Sequence, residues 1–283
     1  MTESTTDALH ALAREHLPHE IAERWIGLLR PGLGLEKAAD PGADAVVGRL
    51  GGLPELPGDE EWPAWEGHGP LSFIASLDCA ALPSAALDIA LPTDGTLAFF
   101  HFDGQLDDGR ARVSPHEPDS RAAARVLYVP AGVPLVERAA PAGIRPYREV
   151  RLTARVETTA PYPWHPVVYR EFAPMPGDHP LWDEDFREAL WDLPGAGHRV
   201  GGHADPVQDD VESEVAGAAL GNPPNDDPRI GEEALRWVLL AQIDSDDDAG
   251  MMWGDCGALY WLIRPEDLAA RRFDRAMFTW QCS

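Results

Sequence analysis

Alternating apolar and polar positions predict several β-strands in this chain. The clearest case is residues 149–158, in which every second residue is apolar, as in a strand with one buried face. Residues 95–102 form an apolar run between turn residues and predict a second strand. Further strands are predicted at 125–129, 236–244, 257–263 and 276–281.

Helical periodicity is present at the N-terminus and in later segments. Apolar residues between 9 and 17 share one helical face up to Pro18, and a second helix follows and ends at Pro31-Gly32. Another helix is predicted over 178–193, with Asp178 near its start. Asp205-Pro206 has the form of a capped helix start. Helices and strands together predict an α+β fold.

Four short blocks recur in the same order in the two halves of the chain, although the spacings between them differ. Residues 49–52, 73–78, 95–99 and 125–128 resemble residues 199–202, 239–244, 257–261 and 275–278. We therefore expect two pseudo-repeated, mainly antiparallel β-sheet lobes with helical cover, preceded by two N-terminal helices. An approximate twofold axis between such lobes would leave a groove, which is a common place for binding.

This interpretation divides the chain into an N-terminal helical segment, residues 1–35, and one continuous unit, residues 36–283. The two lobes would span about residues 48–160 and 198–283. A proline-rich linker and a helix, residues 161–197, would connect them.

Composition excludes several classes of partner. The 23 basic and 48 acidic residues give a formal net charge of −25, which repels nucleic acid and anionic membranes and attracts a basic protein or a metal ion. Cys79, Cys256 and Cys282 are widely spaced, so we expect no structural disulfide. No signal peptide and no apolar run of about twenty residues is present, and we expect a soluble, cytoplasmic protein.

The most acidic stretch is QIDSDDDAGMMWGD, residues 242–255. Its aspartates Asp244, Asp246, Asp248 and Asp255 stand at relative positions 1, 3, 5 and 12, the ligand spacing of an EF-hand. Ala249 replaces the usual glycine, an aspartate replaces the final glutamate, and strands flank the loop. Two alternatives remain: a different site for a hard cation, Ca²⁺ or Mg²⁺, or a solvated turn whose aspartates bond their own backbone.

No motif assigns catalytic or cofactor-binding residues. The ten histidines are scattered, and no zinc-protease, nucleophile-elbow or phosphate-loop pattern accompanies them. Trp62, Asp78 and Trp253 are candidate residues of a ligand or partner groove. Trp62 could instead form a hydrophobic lid, and Trp253 could pack the acidic loop onto the sheet.

Several segments together resemble the YwqG-like family of bacterial proteins of unknown function. They are LGGLP at 50–54, LSFIASLD at 71–78, Gly201-Gly202, DPVQ at 205–208, and MWGD at 252–255, and the resemblance runs from about Gly48 to the C-terminus. The resemblance implies an α+β fold, a bacterial cytoplasmic protein and no established enzymatic activity. A location near toxin genes in some relatives makes an immunity-like role conceivable.

The expected function is therefore non-enzymatic binding, with a cationic protein as the partner. The alternative is a divalent-metal module or a metal-dependent enzyme centred on Asp244–Asp255. The sequence does not indicate an oligomeric state.

Overall fold

The computed structural model describes residues 5–40, 42, 44–193, 195 and 197–283, and it confirms a mixed α+β fold. The helices are α1 Thr5–His16, α2 His19–Ile26, α3 Pro166–Phe172, α4 Glu184–Trp191, α5 Val211–Ala219, α6 Arg229–Ala234 and α7 Pro265–Ala269. Short 3₁₀ turns lie at Ser84–Ala86, Pro118–Ala123, Pro180–Trp182 and Phe273–Arg275.

The strands are β1 Arg30–Lys37, β2 Gly48–Leu50, β3 Glu55–Pro57, β4 Ala64–Trp65, β5 Gly69–Pro70, β6 Ser72–Asp78, β7 Thr96–His101, β8 Ala124–Val129, β9 Leu135–Glu137, β10 Val150–Thr159, β11 His198–Gly201, β12 Val238–Asp244, β13 Ala258–Ile263 and β14 Met277–Gln281. The strands predicted from alternation and apolar runs correspond to β7, β8, β10, β12, β13 and β14. Each matches within two residues at either end.

One ten-stranded sheet organises the fold, in the order β14-β13-β12-β11-β1-β10-β2-β6-β7-β8. Every pairing in it is antiparallel. The strands expected in two lobes thus lie in a single sheet, and β1 and β10 form its centre.

The sheet curls strongly, so that strands from its two ends meet in one core. The rings of Phe99 on β7 and Trp261 on β13 are 5.1 Å apart. The ring of His101, also on β7, lies 4.7 Å from that of Phe278 on β14. Large apolar side chains from all parts of the sheet fill the enclosed space, and this burial is the main source of stability.

Helices cover the outer faces in two groups. Helices α5 and α6 pack on β12–β14 through Val211, Val215, Leu239, Tyr260 and Leu262. Helices α1 to α4 form a second cluster around the fully buried Trp25 and Phe186, whose rings meet edge to face at 5.4 Å. Among the described residues, no helix combines the length and the apolar character that a membrane span requires.

Helix starts differ from expectation in two places, because the choice of capping residue depends on tertiary packing. Asp183, not Asp178, caps α4 by accepting from Asp185 N–H. Residues 205–208 are irregular, and the helix begins later, where Asp210 accepts from Ser213 N–H and caps α5.

Strand β1 begins at Arg30, inside the predicted N-terminal helical segment 1–35. Its Pro31-Gly32 dipeptide, predicted to end a helix, pairs instead with β10.

Candidate functional site

The acidic loop is a tight turn between β12 and β13. Asp246 and Met251 exchange two backbone hydrogen bonds of 2.8 Å, and Asp246 Oδ1 accepts from Ala249 N–H at 2.6 Å. An aspartate that bonds the backbone of its own turn is a common way to stabilise such a loop.

The four aspartates predicted as metal ligands point in different directions. Asp248 forms an exposed ion pair with Lys37 at 2.6 Å, Asp246 lies 3.4 Å from His198 Nε2, and Asp255 is exposed. Asp244 turns inward and accepts from Gln242 Nε2 at 2.9 Å, and burial raises its pKa to about 6. In the described part of the chain these carboxylates do not converge on one point. The metal site stays a prediction.

The predicted groove residues lie in different environments. Trp62 donates from Nε1 to the Leu71 carbonyl at 2.8 Å, and Asp78 is exposed and accepts from Ala80 N–H at 2.9 Å. Trp253 is buried and packs edge-on against His101, with ring centroids 6.1 Å apart. Trp253 lines a large crevice, whereas Trp62 and Asp78 do not.

This crevice has a volume of about 570 Å³, within the usual range for small-molecule sites. One side of the crevice is formed by the end of β7 and by residues 109–116 of the loop that follows it. The other side is formed by the strands β13 and β14. It therefore opens where the two ends of the curled sheet approach each other. Its lining includes the acidic residues Asp103 and Glu214 and the basic residue Arg112. Other polar or aromatic side chains in the lining are His101, His116, Trp253, Thr279 and Trp280.

The acidic turn and a close backbone contact hold Trp253 at the crevice. Trp253 N–H donates to Ser245 Oγ, and Ser245 Oγ–H donates to the Gly257 carbonyl, both at 2.9 Å. At Gly257 a Cβ atom would lie 2.0 Å from the Gln281 carbonyl oxygen, so only glycine allows β14 to approach this closely.

Two carboxylates face the crevice, and neutral groups bind both. Glu214, on α5, accepts from Thr279 Oγ1 at 2.6 Å and Gln281 Nε2 at 2.9 Å, and burial raises its pKa. Asp103 accepts from the Tyr147 hydroxyl at 2.6 Å. Within the described residues neither carboxylate has an ion pair with arginine or lysine. Arg112 also lines the crevice, but in the described structure it forms no ion pair with either carboxylate.

Two of the lining side chains also carry buried ring nitrogens without partners. In the described structure, neither His101 Nδ1 nor Trp253 Nε1 has a hydrogen-bond partner. Burial lowers the pKa of His101 to about 4, so its imidazole is neutral at pH 7. Unpaired buried polar atoms are unusual in folded proteins.

A second cluster lies behind the sheet. Among the described residues, three side chains of the types that bind metal ions lie close together: His165, Asp210 and Glu212. His165 Nε2 is 3.6 Å from Glu212 Oε1 and 3.9 Å from Asp210 Oδ1. Burial raises the pKa of Asp210. Burial would also raise that of Glu212, but His165 outweighs it and lowers that pKa to about 2.

The orientation of His165 favours a hydrogen-bonded cluster over a metal centre. His165 Nδ1 accepts from Val167 N–H at 3.1 Å and caps α3, so this nitrogen carries no proton. The ring proton is then on Nε2, which faces the two carboxylates at 3.6 and 3.9 Å and interacts with them electrostatically. A nitrogen that carries a proton cannot bind a metal ion.

Of these crevice-lining residues, Trp253 was a candidate from the sequence, whereas His101 and Glu214 were not. His101 ends an apolar strand and Glu214 lies within a short helix, and neither belongs to a recognisable motif. The one available signal was a histidine at the end of a strongly apolar run.

Comparison with known proteins identifies a family but no characterised relative. No curated protein matches the chain. Residues 48–282 match a family described as a domain of unknown function, DUF1963, and this match covers more than half of the chain. The chain therefore belongs to the DUF1963 family.

Proposed function

We propose that this protein is a non-enzymatic binding protein whose crevice receives a cationic side chain of a basic partner protein. The observation that carries the proposal is the pair of carboxylates, Asp103 and Glu214, that face the crevice without an ion pair to arginine or lysine among the described residues, although Arg112 lines the same crevice. A partly buried carboxylate held only by neutral donors gains from an incoming cation.

The aromatic walls support the same ligand. Trp253 and Trp280 line the crevice, and the faces of indole rings attract ammonium and guanidinium groups. Met252, which is 52% exposed, lies at the same site and offers an adaptable apolar contact to a partner. Such a combination of carboxylates and aromatic side chains is suited to lysine or arginine.

The overall charge supports a basic partner over a small cation. A net charge of −25 increases the rate of encounter with a basic protein, and salt screens this attraction. This role is compatible with an immunity-like function in a cytoplasmic protein of the YwqG-like group.

The two-lobe repeat belongs to this proposal, because it explains why the crevice lies between the halves. Order in the sheet is mirrored about β1 and β10, with β2-β6-β7-β8 on one side and β11-β12-β13-β14 on the other. Bulges occur at 73/75 and at 239/241, which are matched positions. Phe99 pairs with Val126 and its counterpart Trp261 pairs with Phe278, so the strand pairings match Val126 with Phe278. The sequence blocks instead match Val126 with Ala276, two residues earlier.

Calorimetric titration with deca-lysine and deca-arginine tests the proposal, with deca-glutamate as the negative control. We expect binding at 50 mM salt that weakens steeply by 300 mM. Glu214→Gln and Asp103→Asn should each weaken binding about tenfold, since hydrogen bonds to charged groups contribute about 1.5–3 kcal/mol.

Glu188→Gln is the matched control, because it removes the same charge from the exposed surface of α4. If all three variants weaken binding equally, the peptides respond to the net charge alone and the crevice has no role. Circular dichroism of each variant verifies that it is folded.

A hard-cation site at the acidic loop, 244–255, is a second proposal. Its support is the presence of Asp246, Asp247 and Asp248 on one turn, where like charges repel and a divalent ion would relieve the repulsion. A rise in Tm with Ca²⁺ that Asp246→Ala abolishes would support it.

A further inference from the structure

We propose that a second cavity, separated from the crevice by residues 113–115, binds an organic phosphate. This cavity has a volume of about 420 Å³ and lies between β8, β14 and the turn Phe273–Arg275. Residues 113–115 line it on one side and the crevice on the other. The two cavities are therefore neighbours with different linings.

Four arginines line this cavity, in a chain whose net charge is strongly negative. They are Arg121, Arg125, Arg264 and Arg275, and the acidic lining residues are Asp267 and Asp274. Arg272, which is not in the lining, pairs with Asp267 at 2.6 Å and neutralises it. The remaining charge around the cavity is positive.

Much of that positive charge is available to a ligand. Within the described part of the chain, Arg125 has no carboxylate partner, and the Arg121 guanidinium contacts only the Ala218 carbonyl, at 3.4 Å. Arg275 lies 3.8 Å from Asp274 in a highly exposed pair, which contributes little. Arg264 pairs with Glu233 and stacks on Trp237, 4.9 Å from the ring centroid.

Buried donors add to the positive polarity of the lining. Arg264 Nε and Trp261 Nε1 are both shielded from solvent, and neither has an acceptor among the described residues. Unpaired buried N–H groups favour a negative charge nearby.

The composition and size of the cavity identify the class of ligand. Several guanidinium groups around one space suit a dianionic phosphate, whose oxygens accept paired hydrogen bonds from arginine, better than a single carboxylate. Phe273, Phe278 and Trp261 form an apolar part of the same wall. A cavity of about 420 Å³ is also far larger than inorganic phosphate needs, so the ligand carries an apolar or aromatic body.

Calorimetric titration of the full chain with phenyl phosphate tests this inference, with inorganic phosphate and benzoate as comparison ligands. We expect phenyl phosphate to bind at least tenfold more tightly than either. Arg125→Gln and Arg121→Gln should each weaken it about fivefold to tenfold, and the double variant more. Both side chains are exposed, so folding should be preserved.

Arg187→Gln is the control, because Arg187 is an exposed arginine on α4, outside the cavity, and the variant changes the net charge equally. It should leave the affinity for phenyl phosphate unchanged. The crevice variant Glu214→Gln should also leave it unchanged, which separates this inference from the proposed binding of a cation.

Four results would overturn the inference. The first is no binding of phenyl phosphate to the unmodified protein at millimolar concentration, and the second is unchanged affinity in the double arginine variant. Equal affinity for inorganic phosphate would overturn the role given to the apolar wall. Equal affinity for benzoate would overturn the assignment of a phosphate.

Discussion

Replacing Asp244 with asparagine is expected to stabilise the protein at neutral pH. Burial raises the pKa of Asp244 from its ordinary value of 3.8 to about 6. A raised carboxyl pKa means that the folded protein holds the proton more tightly than the unfolded chain does. The ionised carboxylate is therefore a cost to folding, and that cost increases with pH.

The size of the effect follows from the two pKa values. Below about pH 4 the carboxyl is protonated in both states and the cost is absent; it grows up to about pH 6 and is complete above that. A pKa shift of one unit corresponds to about 1.4 kcal/mol. The shift from 3.8 to about 6 therefore costs about 3 kcal/mol of stability above pH 6, and about half of that at pH 5. Asparagine removes the charge, and its Oδ1 still accepts from Gln242 Nε2.

Urea unfolding of the wild-type protein and of Asp244→Asn, at pH 5.0 and 7.5, measures the difference. We expect the variant to be more stable by about 2–3 kcal/mol at pH 7.5, a rise in Tm of roughly 5–10 °C, and by about half as much at pH 5.0. Asp247→Asn is the control, because Asp247 is an exposed carboxylate on the same turn. A variant less stable than the wild type at pH 7.5, or a difference that does not depend on pH, would refute the reasoning.

Two further predictions concern the acidic turn and the approach of β14. Asp246→Ala should lower the free energy of unfolding by about 1 kcal/mol, because Ala249 N–H loses its acceptor, and thermal unfolding with and without 1 mM Ca²⁺ measures it. A rise in Tm with Ca²⁺ that the variant abolishes would instead favour the metal site. Gly257→Ala should lower the free energy of unfolding by more than about 3 kcal/mol, because the new Cβ meets the Gln281 carbonyl. In the control Gly58→Ala the new Cβ meets no atom within 4 Å, and stability should change by less than about 1 kcal/mol. Equal effects of the two variants on chemical unfolding would contradict this.

Strands with a clear local pattern could be predicted from the sequence, and the central strand could not. In β10 the alternation is visible because Val150 and Leu152 pack on the core beside the exposed Arg151, although further along the strand Val156 is exposed and Glu157 is buried. In β1 the residues Arg30-Pro31-Gly32-Leu33-Gly34 carry turn signals, and the strand forms because β10 and β11 pair with it on both sides. Those partners are more than a hundred residues away in sequence, so no local pattern reports them.

The candidate site shows the same limit. Trp253 could be predicted because it adjoins an unusual acidic run, but its neighbours in the crevice come from β7, α5 and β14. Glu214 faces the crevice only because α5 packs across the sheet end, where Thr279 and Gln281 bind its carboxylate. The second cavity, which four arginines line, likewise combines residues near 121 with residues near 275, and these are far apart in the sequence.

The central position of β1 has a consequence for synthesis on the ribosome. This strand is made before both of its partners, Val150–Thr159 and His198–Gly201. Until residue 159 has been translated both of its edges lack their hydrogen-bonding neighbours, and one edge still lacks its neighbour until residue 201. Long-range pairings of this kind form slowly. The nascent chain therefore carries an open strand while more than a hundred further residues are made, and this interval is when chaperone binding or misassembly is most to be expected.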